Sequence, residues 1–184
     1  MSTESGDAAK RGSDKKKNRT RSPMRYPQRV LLRALLTLFI LWIMFGFVFG
    51  VITAPSNDMY PRVDAGDLAL YYRLDKNVKA QDVVALRKND TEYICRVVAV
   101  EGDTVEVTEQ ETLIINGSTM IESGIFYPTP MYEGFVDYPL TLGPDECFVL
   151  ADRRNGGEDS RYFGPVGKDE IMGTVVTIVR RTNL

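Results

Sequence analysis

An uncharged run of twenty-two residues, 34–55, constrains this chain more than any other feature, and its centre reads Leu38-Phe39-Ile40-Leu41-Trp42-Ile43-Met44-Phe45-Gly46-Phe47-Val48-Phe49. At ~1.5 Å per residue a helix of that length reaches across the ~30 Å hydrocarbon layer of a bilayer. Segment 30–54 is therefore expected to be a transmembrane helix, with the lipid bilayer as its partner. A cleaved secretory leader is the competing reading, but its apolar stretch is usually shorter and its cleavage site small-x-small. Val51-Ile52-Thr53-Ala54 followed by Pro55 is a poor site of that kind, which favours an uncleaved anchor.

The flanks of this run differ in charge. Residues 1–29 are rich in Ser, Lys and Arg and nearly free of apolar side chains, so they cannot bury enough surface to offset the entropy of ordering and are expected to be a disordered arm. Ten Lys and Arg through Arg33, against Glu4, Asp7 and Asp14, give the arm and helix entry +7; with −2 overall, the remainder carries −9. The positive-inside bias keeps such an arm cytoplasmic and puts the acidic remainder outside the plasma membrane as a single-pass protein. A basic tail can also mark nucleic-acid binding, but its place against an apolar span argues for no nucleic-acid partner.

The remaining length allows one modest domain, 55–184. Histidine is absent from all 184 residues, which excludes Ser-His-Asp and Cys-His catalysis and most zinc sites. Any hydrolase here needs a lysine or carboxylates. Cys95 and Cys147 form no CxxC motif; a single bridge outside the cytoplasm and two free buried thiols both remain open. No cofactor and no metal is expected.

Short β-rich runs follow the anchor at 68–72, 83–86, 93–100, 104–107, 113–115, 147–150 and 171–179, separated by Gly66-Asp67, Gly102-Asp103, Asn116-Gly117 and Gly143-Pro144. Those glycine-containing pairs read as turns, because no group of oxygen ligands surrounds them. No helical stripe of useful length appears, so the fold class is mostly β, an antiparallel domain behind one N-terminal helix. Residues 118–142 form a long irregular insertion holding Phe126, Tyr127, Tyr132, Phe135 and Tyr138. It either covers one end of the sheet or offers aromatics to a bilayer or partner.

Three blocks stand out. The first is Pro55-Ser56-Asn57-Asp58-Met59-Tyr60-Pro61, expected to be extended because Pro stands at both ends. The second is Cys95-Arg96-Val97 followed by Gly102-Asp103, and the third is Ala151-Asp152-Arg153-Arg154 followed by Gly157-Glu158-Asp159-Ser160-Arg161. Together they resemble type I signal peptidases, whose corresponding blocks read Ser-x-Ser-Met-x-Pro, Lys-Arg-Val with Gly-Asp, and Gly-Asp-Asn-Arg with Ser-x-Asp-Ser-Arg. The resemblance runs from the anchor to the C-terminus and implies a signal-peptidase-type β domain. It also sets Asp58 against the family's nucleophilic serine and Cys95 against its general-base lysine. Ser56 falls where an oxyanion-hole donor can stand. Met59, Pro61, Arg96, Gly102, Asp103, Asp152, Arg154, Asp159, Ser160 and Arg161 are retained as supports of the site, whereas Ala151, Arg153 and Gly157 depart from the pattern.

A serine–lysine pair works only when the lysine is neutral near pH 7. Cys95 cannot accept a hydroxyl proton as a neutral amine does, and the ionised Asp58 carboxylate has no proton to surrender and attacks amides poorly. A carboxylate beside a thiol disfavours thiolate, and an aspartic-protease pair needs a second carboxylate sharing one proton, for which Asp152 and Asp159 are the available partners. Ser56 could replace the nucleophile, but Lys88 is read into a turn and no other lysine falls near. The charged residues of the third block read as a buried hydrogen-bonded corner.

These readings lead to a membrane-anchored protein without proteolytic activity that binds extended secretory precursors and assists surface protein or pilus assembly. The resemblance to dyad-lacking signal-peptidase-like proteins of Gram-positive pilus assembly carries the last step and makes pilins candidate partners. Two alternatives stand beside it: an active type I signal peptidase, and a structural anchor that binds no polypeptide.

Overall fold

In the computed structural model, which describes residues 26–181, the apolar run begins as helix α1 (Tyr26–Ile43) and passes into one π turn (Met44–Val48). Pro27 fits the first turn, where its missing N–H is not needed, and Leu, Ala and Ile continue the helix. No side chain of α1 is buried. Helix and turn together span Tyr26–Val48, 23 residues that include an 18-residue window of mean hydropathy 2.3, long and apolar enough to cross a membrane. The arm expected at 1–29 lies outside the described residues as far as 25, whereas 26–29 belong to the helix.

The expected helix over 30–54 ends early. Phe49 turns to extended backbone (φ −116°, ψ 156°) and opens strand β1 (Phe49–Thr53). Val48, Val51, Ile52 and Thr53 are β-branched and favour a strand. Gly50 settles the placement: it pairs with Tyr71, whose ring occupies the space a side chain at 50 would need.

Ten further strands follow: β2 (Leu68–Tyr72), β3 (Val83–Lys88), β4 (Thr91–Val100), β5 (Thr104–Val107), β6 (Leu113–Ile115), β7 (Ser118–Thr119), β8 (Leu140–Thr141), β9 (Glu146–Leu150), β10 (Val166–Gly167) and β11 (Ile171–Val179). One short helix, α2 (Ser160–Phe163), precedes β10. They form a seven-stranded sheet in the order β1-β2-β11-β3-β4-β9-β10 and a four-stranded sheet in the order β7-β6-β5-β8, with antiparallel neighbours throughout. The two sheets share a core, in which Val98, Phe148 and Leu150 of the larger pack with Val105, Leu113 and Ile115 of the smaller. This is the mostly antiparallel β architecture read from the alternation of apolar and turn residues.

The middle of β4 carries the second block. Cys95 pairs with Val84 of β3, and Arg96 sits between Val83 of β3 and Leu150 of β9. Cys95 and Cys147 are both free and buried, which decides between the two states open from sequence. Lys88 ends β3 instead of lying in a turn, and its ammonium bonds Glu170 at 2.7 Å and the Pro165 carbonyl at 2.9 Å. The 118–142 insertion carries β7 and β8 at its ends. Its Met120, Met131 and Tyr138 pack on the shared core, while Ile121, Phe126 and Phe135 stay exposed.

Candidate functional site

The first block is a chain of turns, not an extended segment. Tyr60 N–H bonds the Asn57 carbonyl at 3.1 Å, and the N–H groups of Arg62 and Val63 both bond the Met59 carbonyl at 3.0 Å. The Tyr60–Pro61 bond is cis. Asn57 and Asp58 are turn formers, and Met59 and Val63 are apolar anchors four residues apart that sink together into the core with residues of β1 and β2. Local side-chain chemistry thus outweighs the extended bias of the prolines. The same turn still brings Ser56 and Asp58 together, and the Ser56 hydroxyl donates to Asp58 Oδ2 at 2.6 Å.

Met59 joins this turn to the third block, its sulfur accepting Asp152 N–H at 3.4 Å, while Arg153 N–H donates to the Asp58 carbonyl at 2.8 Å. Gly157 closes the contact. A Cβ there would lie 3.5 Å from that of Asp58 and would fall on the Ala151 methyl. Two of the three departures from the family pattern in this block are thus one exchange: a methyl at 151 fills the space vacated at 157.

Arginines hold the third block from three sides. Arg96 forks onto Asp152 with two bonds of 2.7 Å and gives Nη1 to the Gln81 carbonyl. Arg161 forks onto Asp159 at 2.9 and 2.7 Å, and both side chains are fully buried. Asp159 also caps α2 by accepting Arg161 N–H, and takes Ala151 N–H at 2.9 Å; Ser160 Oγ accepts Val149 N–H at 3.0 Å. Arg154, fully buried, donates to the Ala151 carbonyl, to Thr129 Oγ1 and to Glu122 Oε2. Burial works against the charge of Arg96 and of Arg161, and the carboxylate each one grips more than restores it, raising both pKa values. Single-point removal from such a pair strands a buried charge and costs about 3–5 kcal/mol.

Cys95 lies at the floor of this arrangement, 1% exposed. Burial first, then the carboxylates of Asp159, Asp58 and Asp152, push its thiol well above the ordinary cysteine range, with Arg161 opposing. A thiol held this way is a small apolar side chain rather than a nucleophile. Gly102 and Asp103 stand apart, in the β4–β5 turn, where Asp103 accepts Val100 N–H and the Asn116 amide. Pro61 lies in the turn itself, and its carbonyl accepts Arg180 Nη2 at 3.3 Å. Among the described residues no three metal-ligating side chains come together.

Sequence reading missed several members of this cluster. Arg62 reaches Asp152 at 4.0 Å and the Ser123 carbonyl at 3.3 Å. Glu122 and Thr129 are the partners of Arg154. Tyr132 donates to the Gly157 carbonyl at 3.1 Å, and its ring lies 4.3 Å from the Arg161 guanidinium. The aromatic richness of the insertion was the only signal for Tyr132, and nothing local pointed to Glu122.

The pattern of the family described as "Signal peptidase, peptidase S26" matches residues 28–180, nearly all that the structure describes. This chain belongs to that family. Over 130 residues it is 31% identical to the probable signal peptidase I-2 of Synechocystis sp., covering 65% of this chain and 57% of that protein. It is 27% identical over 146 residues to signal peptidase I of Bacillus caldolyticus, covering 70% and 78%. A crystal structure of a signal peptidase I from Enterococcus faecalis V583 is 28% identical, with a TM-score of 0.44, and covers 55% of this chain and 97% of its own. The chain thus spans little more than half the length of the cyanobacterial relative. The signal peptidase family supplies the β domain and the apolar helix.

Proposed function

We propose that this chain recognises extended secretory precursor polypeptides at the membrane and does not cut them by a serine–lysine route. One observation carries the reading: the position set against the family's lysine holds Cys95, buried and with its proton retained, and among the described residues no lysine bonds to it. Lys88 is committed to Glu170, and Lys168 to Asp145 and Asn77. Each buried arginine around the position meets a carboxylate, which supports a scaffold kept for binding. Extended peptides add to sheet edges through main-chain hydrogen bonds, and that mode needs no nucleophile. On this reading the basic arm is cytoplasmic, the β domain lies outside the plasma membrane, and the precursors are held for surface assembly. Pilins are one such class, on the strength of the resemblance alone.

A second reading is favoured by the names of the relatives and by the Ser56–Asp58 hydrogen bond: an active signal peptidase in which Ser56 attacks and Asp58 accepts its proton. The obstacle is chemical. A carboxylate is a far weaker base than the alkoxide a serine hydroxyl leaves behind, so such a pair lacks the match that efficient proton transfer needs.

Full-length protein in detergent, incubated with a secretory precursor, separates the readings. Retention of uncut precursor in a pull-down is the expected result. Cleavage that disappears in Ser56→Ala would establish the peptidase, and neither retention nor cleavage would leave a bare anchor. The double change Asp58→Ser with Cys95→Lys should recover at most weak cleavage, because Arg153 and Gly157 still depart from the family pattern beside the restored pair.

A further inference from the structure

A cavity of about 270 Å³ opens between the start of β6 and the first half of the 118–142 loop. Leu113, Met120, Ile125 and Tyr127 give it apolar walls, with Glu122 inside and Glu111 at its exposed rim. The Glu122 side chain is only 6% exposed. Its Oε2 takes the Arg154 bond at 2.6 Å, but its Oε1 is buried and has no donor among the described residues. A carboxylate offers about four lone-pair sites, and a buried oxygen that fills none of its own is a position waiting for an N–H or O–H.

We propose that this cavity is a subsite for a primary ammonium group on an apolar stem, as the lysine side chain of a bound polypeptide presents. The sign of the charge follows from the lining. Arg154 neutralises Glu122, and Glu111 leaves the set one negative charge in excess, which one ammonium balances. The shape follows as well, since four methylenes can lie against the apolar walls while the head reaches polar atoms at the far end. A guanidinium fits less well, because its planar fork calls for both oxygens of one carboxylate and Arg154 already holds Glu122 Oε2. Arg154 Nε also bonds the Ala151 carbonyl, so one side chain links the subsite to the third block. The assignment holds whether or not the chain cuts its precursors.

The test is a titration of the isotope-labelled full chain in detergent micelles, followed by backbone amide spectra. The probe is Nα-acetyl-lysine N-methylamide, and the control is the norleucine analogue, which keeps the stem and lacks the ammonium. The lysine probe should move the amides of Glu111, Glu122, Ile125 and Tyr127 saturably with a dissociation constant on the order of millimolar, as suits one buried contact. Ile125→Trp fills the cavity and leaves the hydrogen bonds of Arg154 in place; it should weaken binding at least ~10-fold, a difference well resolved by titration. Glu122→Gln should weaken it too. Absence of saturable shifts, equal shifts with norleucine, or unchanged binding in Ile125→Trp overturns the subsite. Tighter binding of a lysine-containing peptide than of n-butylamine supports the polypeptide source, and equal binding overturns that source.

Discussion

Two neighbouring regions of the β domain have opposite kinds of chemistry. Around Asp152, Arg154, Asp159 and Arg161, each buried arginine meets a carboxylate, and the ladder of β9 runs into it through Val149 and Ala151. At Asp58 and Cys95, close beside that frame, one group is half-buried and bonded to its own turn and the other is an inert thiol. Buried charges constrain each other because losing one strands the next, whereas a thiol or a half-exposed acid can be exchanged with little structural penalty. The contrast teaches that substitution is tolerated more readily at Asp58 and Cys95 than within the charged frame beside them.

The contrast can be broken most sharply at Asp159. Asp159→Ala should destabilise the domain by about 3–5 kcal/mol, seen as a large fall in Tm, because it leaves Arg161 unpaired and α2 uncapped. Next in size is Gly157→Ser, expected to cost about 1–3 kcal/mol by forcing the new Cβ against the Ala151 methyl. Adding Ala151→Gly should return most of that loss, with a coupling of roughly 0.5–3 kcal/mol in a double-mutant cycle of denaturant melts.

The thiols sharpen the comparison through pH. Burial first, then Glu170 and Glu146, push Cys147 up to about 12. The unfolded thiol loses its proton first, so this stabilisation is complete below pH ~9 and is lost as pH rises toward the folded value, by about 1.4 kcal/mol per unit. Stability measured from pH 8 to 10.5 should therefore fall, and Cys147→Ala should flatten the slope. The smallest effect is Ser56→Ala, which removes one part-buried hydrogen bond and should cost about 0.5–1.5 kcal/mol. A Tm drop as large as that of Asp159→Ala would place Ser56 inside the frame and erase the distinction.

The strands at 68–72, 83–88, 91–100, 104–107, 113–115, 146–150 and 171–179 were legible because apolar alternation and Gly-Asp or Asn-Gly turns are local signals, whereas the two-residue strands β7, β8 and β10 are too short to carry one. Strand β1 was not, since Phe-Gly-Val-Ile-Thr continues the apolar run that precedes it, and only the Tyr71 ring over Gly50 reveals the change. The turns of the first block were hidden behind two prolines, and Met59 declared itself an anchor only once Val63 and Ile94 packed with it. At the site, the retained charges could be read from their blocks, but their partners could not. Glu122 lies 32 residues from Arg154, and Thr129 lies 25, distances at which composition says nothing about contact.

The 118–142 loop has an unexpected standing as a result. It supplies Glu122 and Thr129 to Arg154, and the Pro130 carbonyl and the Tyr132 ring to Arg161. Trimming it to a short connector would strip counter-ions from the motif next door, so it is not a dispensable ornament. Anyone grafting this loop onto a sister scaffold must transplant the two guanidinium groups with it, as a single cassette.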